Sequence, residues 1–348
     1  MKKSIGGDFS YPISHLFKGS FGSFNDKLIY SSGRSSLSLI LKSIKNFESE
    51  DYTVLSPSFA CQSLEESYKE LEIPFKLYPV NNELRLDRKR FKDLDKNANY
   101  IFVLISYFGI VKVKDDIYWI KNYFPNSIVI NDLAQDLWSF LEEDSEADYS
   151  FSSLRKALAS PDGGLIKTKD KDLLAVKKRI SLSSKRIIAA IFKNSGLVTD
   201  HIYLKYFKEA EAEFKATPSL CSSFTKNILS HTNLEKVEER RKENSQHAVY
   251  YARKHGLKLL LEPKADDVPL CIPLLIPNRD KVRSQLIKKG IFLPVHWPLS
   301  ESSTDPVARK ISEEILSLVI DQRCSKKDVE RQIDEFLKGI THADIRDS

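Results

Sequence analysis

The sequence predicts an α/β protein, with a mainly parallel sheet in a large domain and a smaller α+β domain at its C-terminal end. Three observations predict it. Between residues 27 and 132, short apolar runs alternate with stretches of helical periodicity, the pattern of repeated β–α units. Residues Tyr100 to Tyr107, YIFVLISY, are almost wholly apolar, as a central parallel strand covered on both faces must be. From Lys258 the texture changes to a separate succession of strand, helix and strand closed by an amphipathic helix. A chain of 348 residues also exceeds one ordinary core.

The elements follow in order. Residues 1–26 carry Gly, Ser and aromatics without a period and read as an arm lying on another surface, such as a partner subunit. Lys27 to Ser31 reads as a short strand entering Ser32-Gly33-Arg34-Ser35-Ser36, after which Leu37, Leu39, Ile40, Leu41 and Ile44 take helical spacing. Strand, glycine turn and helix start point backbone N–H groups at an anion, with the helix dipole assisting. The same serines equally suit an ordinary N-cap by Ser35 or Ser36. A strand at Tyr52 to Leu55 ends in Ser56-Pro57-Ser58-Phe59, and a helix from Gln62 to Leu71 and a strand from Phe75 to Val80 follow. A helix near Asp115 to Tyr123 leads to the strand Ser127 to Asp132, which ends on a carboxylate. Helical patterns at Lys171 to Lys215 and Phe224 to His255 complete a large domain of residues 27–255, the second serving as connector. The small domain, 256–348, takes strands at Leu270 to Ile276, Ile291 to Pro298 and Ile315 to Ile320, with helices at Arg279 to Lys289 and Lys326 to Ile340.

Composition narrows the function. Hydrophobic content of 41% and charged content of 29% are those of a soluble globular protein. The net charge of +6 is scattered; the longest mixed run, Lys236 to Asn244 (KVEERRKEN), reads as a solvated helix face. No basic stripe with interleaved aromatics points to a nucleic-acid partner. Cys61, Cys221, Cys271 and Cys324 lie far apart without C-x-x-C spacing, which argues against a metal site or a disulfide framework and fits a reducing compartment. The N-terminal MKKSIGGDFSYPIS has no apolar core of a signal peptide, and Ile101 to Val111 is too short to span a bilayer. The expectation is a cytoplasmic protein with no membrane partner.

The chemistry concentrates in Asp148 to Thr168, DYSFSSLRKALASPDGGLIKT. Two strand-like runs flank a polar bend carrying Arg155 and Lys156. An amine held in a cleft beside another cation loses its proton more readily than a free one and becomes a nucleophile suited to Schiff-base chemistry. Alone, Ser153-x-x-Lys156 reads as a common tetrapeptide with Lys156 in a solvated turn, and the rest of the chain has to shift that reading. Gly33, Phe59, Tyr107, Asp132 and Lys156 all fall at or just past predicted strand ends, where parallel sheets bind ligands.

The succession SSGRSSL, SPSFACQS, INDLAQDL and the lysine bend with PDGG resembles fold-type I pyridoxal-phosphate enzymes. Within them it is most similar to the DegT/DnrJ/EryC1/StrS-like sugar aminotransferases, over residues 28–335. The resemblance implies the aspartate aminotransferase-like fold, pyridoxal 5'-phosphate (PLP) as cofactor, and a homodimer. It also implies transfer of an amino group, from an amino acid such as glutamate, to a nucleotide-linked keto sugar for surface polysaccharide. Another PLP chemistry on the same fold (lyase, dehydratase or aldolase) and a non-catalytic scaffold stay open beside it.

The resemblance assigns roles as well. Lys156 would form the Schiff base and shuttle a proton, Asp132 would pair with the pyridine nitrogen, and Gln135 would lie near the ring oxygen. Ser153, with backbone N–H groups of Gly33, Arg34 and Ser35, would hold the phosphate. The chain departs from the family at Arg34, where Thr is usual, and at Cys61, where the ring-stacking aromatic is expected. That leaves Phe59 as either the stacker or a core phenylalanine, and Cys61 as a buried thiol. Among substrate candidates, Tyr107 sits at a strand end, His296 in PVHWP either faces the cleft with Trp297 or is structural, and Arg323 either binds a carboxylate or lies at the surface.

Overall fold

The structure is a computed structural model that describes residues 4–7, 9, 24, 27–48, 50–142, 146–169, 172–180, 202, 205–206, 208–210 and 217–339. The N-terminal segment contributes β1 (Ile5–Gly6), and α1 (Gly33–Phe47) opens the large body. β2 (Thr53–Pro57), α2 (Gln62–Glu70), β3 (Phe75–Tyr78), β4 (Tyr100–Ile105), α3 (Lys114–Tyr123) and β5 (Ile128–Asp132) follow as β–α units. After α4 (Leu137–Glu142) come β6 (Tyr149–Ser153), the four-residue α5 (Leu154–Ala157) and β7 (Gly164–Thr168).

These strands form a sheet of order β3-β2-β4-β5-β6-β7, parallel throughout except for β7, which runs antiparallel to β6. Register sets Ile105 beside Asp132 and Asp132 beside Phe151, so β4 and β5 finish level and β6 runs two residues further, to Ser153. Strand order reverses between β2 and β4, and a crevice opens outside the carboxyl ends at such a reversal. The apolar run of β4 is buried because helices cover both faces, as its composition predicts.

The C-terminal part begins with α6 (Ser223–Ser230) and α7 (Leu234–Lys254). It continues through β8 (Cys271–Leu275), α8 (Arg279–Lys288), β9 (Ile291–Phe292), α9 (Pro306–Glu314), β10 (Ile315–Val319) and α10 (Lys326–Leu337). β8 and β10 pair antiparallel. A second core gathers Ile272, Leu274, Leu316, Leu318, Ile333 and Phe336. Among the described residues no helix is long and apolar enough to cross a membrane.

Several expectations change. The long pattern from 224 to 255 is two helices, with His231 closing α6 and Asn233 capping α7. Part of KVEERRKEN is not a solvated face: Arg241 and Asn244 are both wholly buried. Ala248 and Ala252 join the C-terminal core, so α7 packs with the small body. Lys27 to Ser31 is no ladder strand; only Tyr30 forms bridges, to Gly164 and Leu220. Residues 172–180 are not helical, and most of the expected 171–215 helix lies outside the described residues, as does most of the N-terminal arm. The described Ile5–Gly6 pairs parallel with β9 of its own chain. The expected strand at 291–298 is regular only over Ile291–Phe292.

Candidate active site

A cavity of about 190 Å³ lies at the carboxyl ends of β4, β5 and β6, with Ile105, Asp132 and Ser153 in its wall. The start of α1 contributes Ser32, Gly33 and Arg34, and Trp297 reaches it from the C-terminal body.

The α1 end presents backbone donors that can take an anion. Ser32, in extended conformation, is the N-cap: its Oγ accepts the Ser35 N–H at 3.0 Å and its carbonyl accepts the Ser36 N–H. The N–H groups of Gly33 and Arg34 are left without partners among the described residues, at the positive end of a 15-residue helix. Ser153 sits against them; a Cβ built on Gly33 would stand 3.2 Å from its Cβ. Ser35 does not take part as expected. Its N–H is used by the cap, and its Oγ accepts from Ser219 N at 3.1 Å inside the protein. Arg34 lines the cavity, and its guanidinium pairs with Glu66 at 2.8 Å.

Lys156 is on the short helix α5 rather than at the tip of a bend. The Pro-Asp-Gly-Gly segment has a different task. Gly163 turns the chain with φ +123, and Gly164 lies so close to α1 that a Cβ there would stand 2.2 Å from the Ser32 carbonyl oxygen. Nζ of Lys156 has no hydrogen bond or ion pair among the described residues and lies 5.8 Å from the Trp297 ring centre.

Asp132 ends β5 buried in the cavity wall, with one backbone hydrogen bond, from Ala134 N–H to Oδ1 at 2.8 Å. Burial pushes its carboxyl up to about 6, although the nearby Lys156 charge and the Ala134 N–H pull the other way. Gln135 accepts the Phe108 N–H at 3.0 Å through Oε1, which fixes the amide and leaves its buried Nε2 without a partner.

Other expected residues stand elsewhere. Phe59 is wholly buried, with ring centres 5.8 Å from Tyr107 and 5.4 Å from Trp297, and does not line the cavity. Cys61, two residues on, lines it instead and accepts a hydrogen bond from Ser63 Oγ at 3.2 Å. Tyr107 is buried with its hydroxyl donating to the Phe59 carbonyl. His296 packs edge-on to Phe108, with Nδ1 3.1 Å from Ser317 Oγ; burial and the Lys156 charge lower it to about 3, so it is neutral at pH 7. Its neighbour Trp297 faces the cavity. Arg323 is held away by Asp321, Nη2 to Oδ2 at 2.6 Å, and by the Gly7 carbonyl. The cavity therefore joins Gly33, Arg34, Asp132, Gln135, Ser153 and Lys156, and excludes Ser35, Phe59, Tyr107, His296 and Arg323. Sequence reasoning passed over Ser32 as the cap and Ala134 as a wall. The signal for Ser32 was its place three residues before Ser35.

No protein-family model matches the chain, and no curated protein matches it. Solved structures do. Spr1654 from Streptococcus pneumoniae in its PLP form is 12% identical, with a TM-score of 0.69 over 97% of this chain and 100% of that one. A DegT DnrJ EryC1 StrS aminotransferase from Brucella abortus is 15% identical, with a TM-score of 0.64 over 95% and 91%. DesI in the presence of its TDP-sugar product is 14% identical, with a TM-score of 0.64 over 95% and 86%. The likeness shows that the chain has the fold these proteins share, the fold-type I architecture expected from its sequence.

Proposed function

We propose that this chain is a PLP-dependent aminotransferase that moves an amino group from an amino acid such as glutamate to a keto sugar carried on a nucleotide, in the cytoplasm. The observation that carries the reading is a set of four unmet groups around one cavity. Two helix N-terminal N–H groups call for an anion, and a buried carboxylate with no cation bonded to it calls for a positive N–H. An orphaned amide donor calls for an acceptor, and an unpartnered lysine amine calls for an electrophile. Pyridoxal phosphate supplies all four as phosphate, pyridinium, ring oxygen and aldehyde, so the residues present fit it. When bound, it supplies an electron sink that acidifies the carbon attached to the substrate nitrogen.

The chain's residues then divide the work. Gly33 and Arg34 N–H groups with the Ser153 hydroxyl would hold the phosphate, each charge-assisted hydrogen bond contributing about 1.5–3 kcal/mol. Asp132 would hold a proton on the ring nitrogen, and Gln135, through its unpartnered Nε2, would donate to the ring oxygen. Lys156 Nζ supplies the nucleophile and, once free, the base that takes and returns a proton. The sugar acceptor rests on the fold shared with DesI, which is described with a TDP-sugar product. Surface-polysaccharide synthesis is the setting this acceptor fits, and a two-fold dimer is the assembly expected with it.

The test is to incubate the purified protein with PLP, reduce with borohydride and map the modified peptide. A stable adduct on Lys156, lost in Lys156→Ala, is the expected result; an adduct spread over surface lysines alone overturns it. Sedimentation at micromolar protein checks the dimer.

A further inference from the structure

Arg241 on α7 is the largest wholly buried side chain among the described residues, and nothing in the reading above uses it. Its guanidinium spends its donors on neutral acceptors from three segments. Nη2 donates to the Ala157 carbonyl at 3.0 Å, Nη1 to the Pro269 and Leu270 carbonyls at 3.2 and 3.3 Å, and Nε to Gln322 Oε1 at 3.0 Å. The nearby carboxylate, Asp321, is hydrogen-bonded to Arg323 instead. A buried cation without a bonded counter-ion is costly, and burial lowers this guanidinium to about 10, yet it stays charged at pH 7. An apolar residue would fill the same space at less expense, so what the charge holds in place needs explaining.

Two of its targets connect to residues of the cavity wall. Ala157 immediately follows Lys156, and its carbonyl also accepts Gln322 Nε2–H at 3.1 Å, so two donors clamp the peptide beside the amine. Leu270, held by Nη1, donates its N–H to the Phe108 carbonyl at 2.8 Å, and Phe108 N–H is the group that fixes Gln135. One guanidinium thus anchors the turn bearing Lys156 and, through Leu270 and Phe108, the amide whose Nε2 is unpartnered. α5 has only four residues and cannot hold its own orientation. The planar fork is required: an ammonium has three donors from a single point and cannot reach acceptors spread over three segments.

We propose that Arg241, assisted by Gln322, is a positioning residue that sets the orientation of Lys156 and couples it to Gln135 across the cavity. The attachment arm of the test rests on the PLP reading; the labelling arm does not. The variants are Arg241→Lys, Gln322→Leu and, as control, Asn244→Ala. Asn244 holds the Ile320, Asp321 and Cys324 carbonyls from the same helix and makes no bond to Ala157. Each folded variant is pulse-labelled without cofactor using acetic anhydride, with Lys156 acetylation read against the other lysines by mass spectrometry. Each is then titrated with PLP and reduced with borohydride to read attachment at Lys156.

Arg241→Lys and Gln322→Leu should change the Lys156 labelling rate and lower attachment about tenfold, since a misplacement of about 1 Å can cost more than that. Asn244→Ala should lower the melting temperature while leaving both readouts at the wild-type level. If Arg241→Lys does not fold, Gln322→Leu carries the comparison. Wild-type labelling and attachment in the variants that fold, or equal losses in Asn244→Ala, would overturn the assignment. Failure of the cofactor reading shows separately, as no adduct on wild-type Lys156, and the labelling arm still decides the role of Arg241.

Discussion

The charge on Lys156 offsets part of what it costs to bury Asp132. The two side chains line one cavity, and burial lifts the Asp132 carboxyl from 3.8 to about 6 even with the lysine pulling it down. The carboxylate is therefore under-compensated as the protein stands. On the proposed function, a protonated ring nitrogen delivered to the cavity would complete the pairing and tie cofactor affinity to this electrostatic deficit.

The deficit has a sign that can be measured. The Asp132 pKa is higher folded than unfolded, so between 3.8 and about 6 the native protein binds more protons than the unfolded chain. Its contribution is most favourable below 3.8 and is lost as pH rises through 6, a change of about 3 kcal/mol at most. Cofactor-free Asp132→Asn should therefore be more stable than wild type at pH 7.5, with the two converging near pH 4. His296, lowered to about 3, works in the opposite direction in both proteins and cancels in the comparison. Urea unfolding at the two pH values checks it; equal stability at pH 7.5 rules out the buried, under-compensated carboxylate. With PLP the same substitution should reduce turnover by orders of magnitude.

Gly164 makes the second case. A Cβ there meets the Ser32 carbonyl, a backbone part of the α1 cap, at 2.2 Å and the Ser36 side-chain hydroxyl at 2.6 Å. The same residue exchanges two backbone hydrogen bonds with Tyr30 at 2.8 Å. Gly164→Ala should cost about 3 kcal/mol, the upper end of ordinary overpacking. It should also weaken phosphate and pyridoxal phosphate binding more than pyridoxal binding, because the displaced element is the proposed anion site. Thermal unfolding and the ratio of the two affinities test this. An unchanged ratio would leave the glycine a packing role only.

What the sequence disclosed follows from which forces act locally. The apolar run of β4 and the carboxylate ending β5 were legible because burial on both faces and strand-end placement leave marks in a single segment. Which serine of SSGRSS caps α1 was not. Ser32 wins through its extended backbone, φ −166 and ψ 168, which depends on Gly164 packed beneath it. Nor could sequence decide between Phe59 and Cys61, or whether His296 faces the cleft with Trp297, since neighbours in irregular loops face different ways. α7 misled for a clearer reason. Its buried stripe is Arg241, Asn244, Ser245, Ala248 and Ala252, at helical spacing but polar or small, and hydropathy takes such a stripe for a solvent face.

Cys61 gives a third prediction. It is partly accessible in the cavity wall, whereas Cys221, Cys271 and Cys324 are buried. Titration of the native, cofactor-free protein with Ellman's reagent should show one fast thiol, absent in Cys61→Ser, and saturating PLP should slow it. Fast reaction of a second thiol in the folded protein, or no protection in a sample that carries the Lys156 adduct, would remove Cys61 from the cofactor site.

The last prediction concerns the acceptor. Enzymes that hold 2-keto acids clamp the carboxylate with bidentate arginines. Of the two candidates the sequence offered, Arg323 is bound to Asp321 away from the cavity, and Arg34 is paired with Glu66. Trp297 instead presents an indole to the cavity 5.8 Å from Lys156 Nζ, backed by Phe59 and stacked near Phe108 at 6.4 Å between ring centres. An aromatic face packs well on sugar C–H groups and offers nothing to a carboxylate. Enzyme loaded in its amine form should therefore return to its original absorbance faster with a nucleotide-linked keto sugar than with pyruvate or oxaloacetate. Trp297→Ala should raise the KM for the sugar about tenfold, the loss of one stacked contact of about 1.5 kcal/mol, while glutamate still converts the cofactor at near the wild-type rate. Rapid recovery with the keto acids and none with any nucleotide-linked keto sugar would refute the acceptor class, and the Lys156 adduct would stand unaffected.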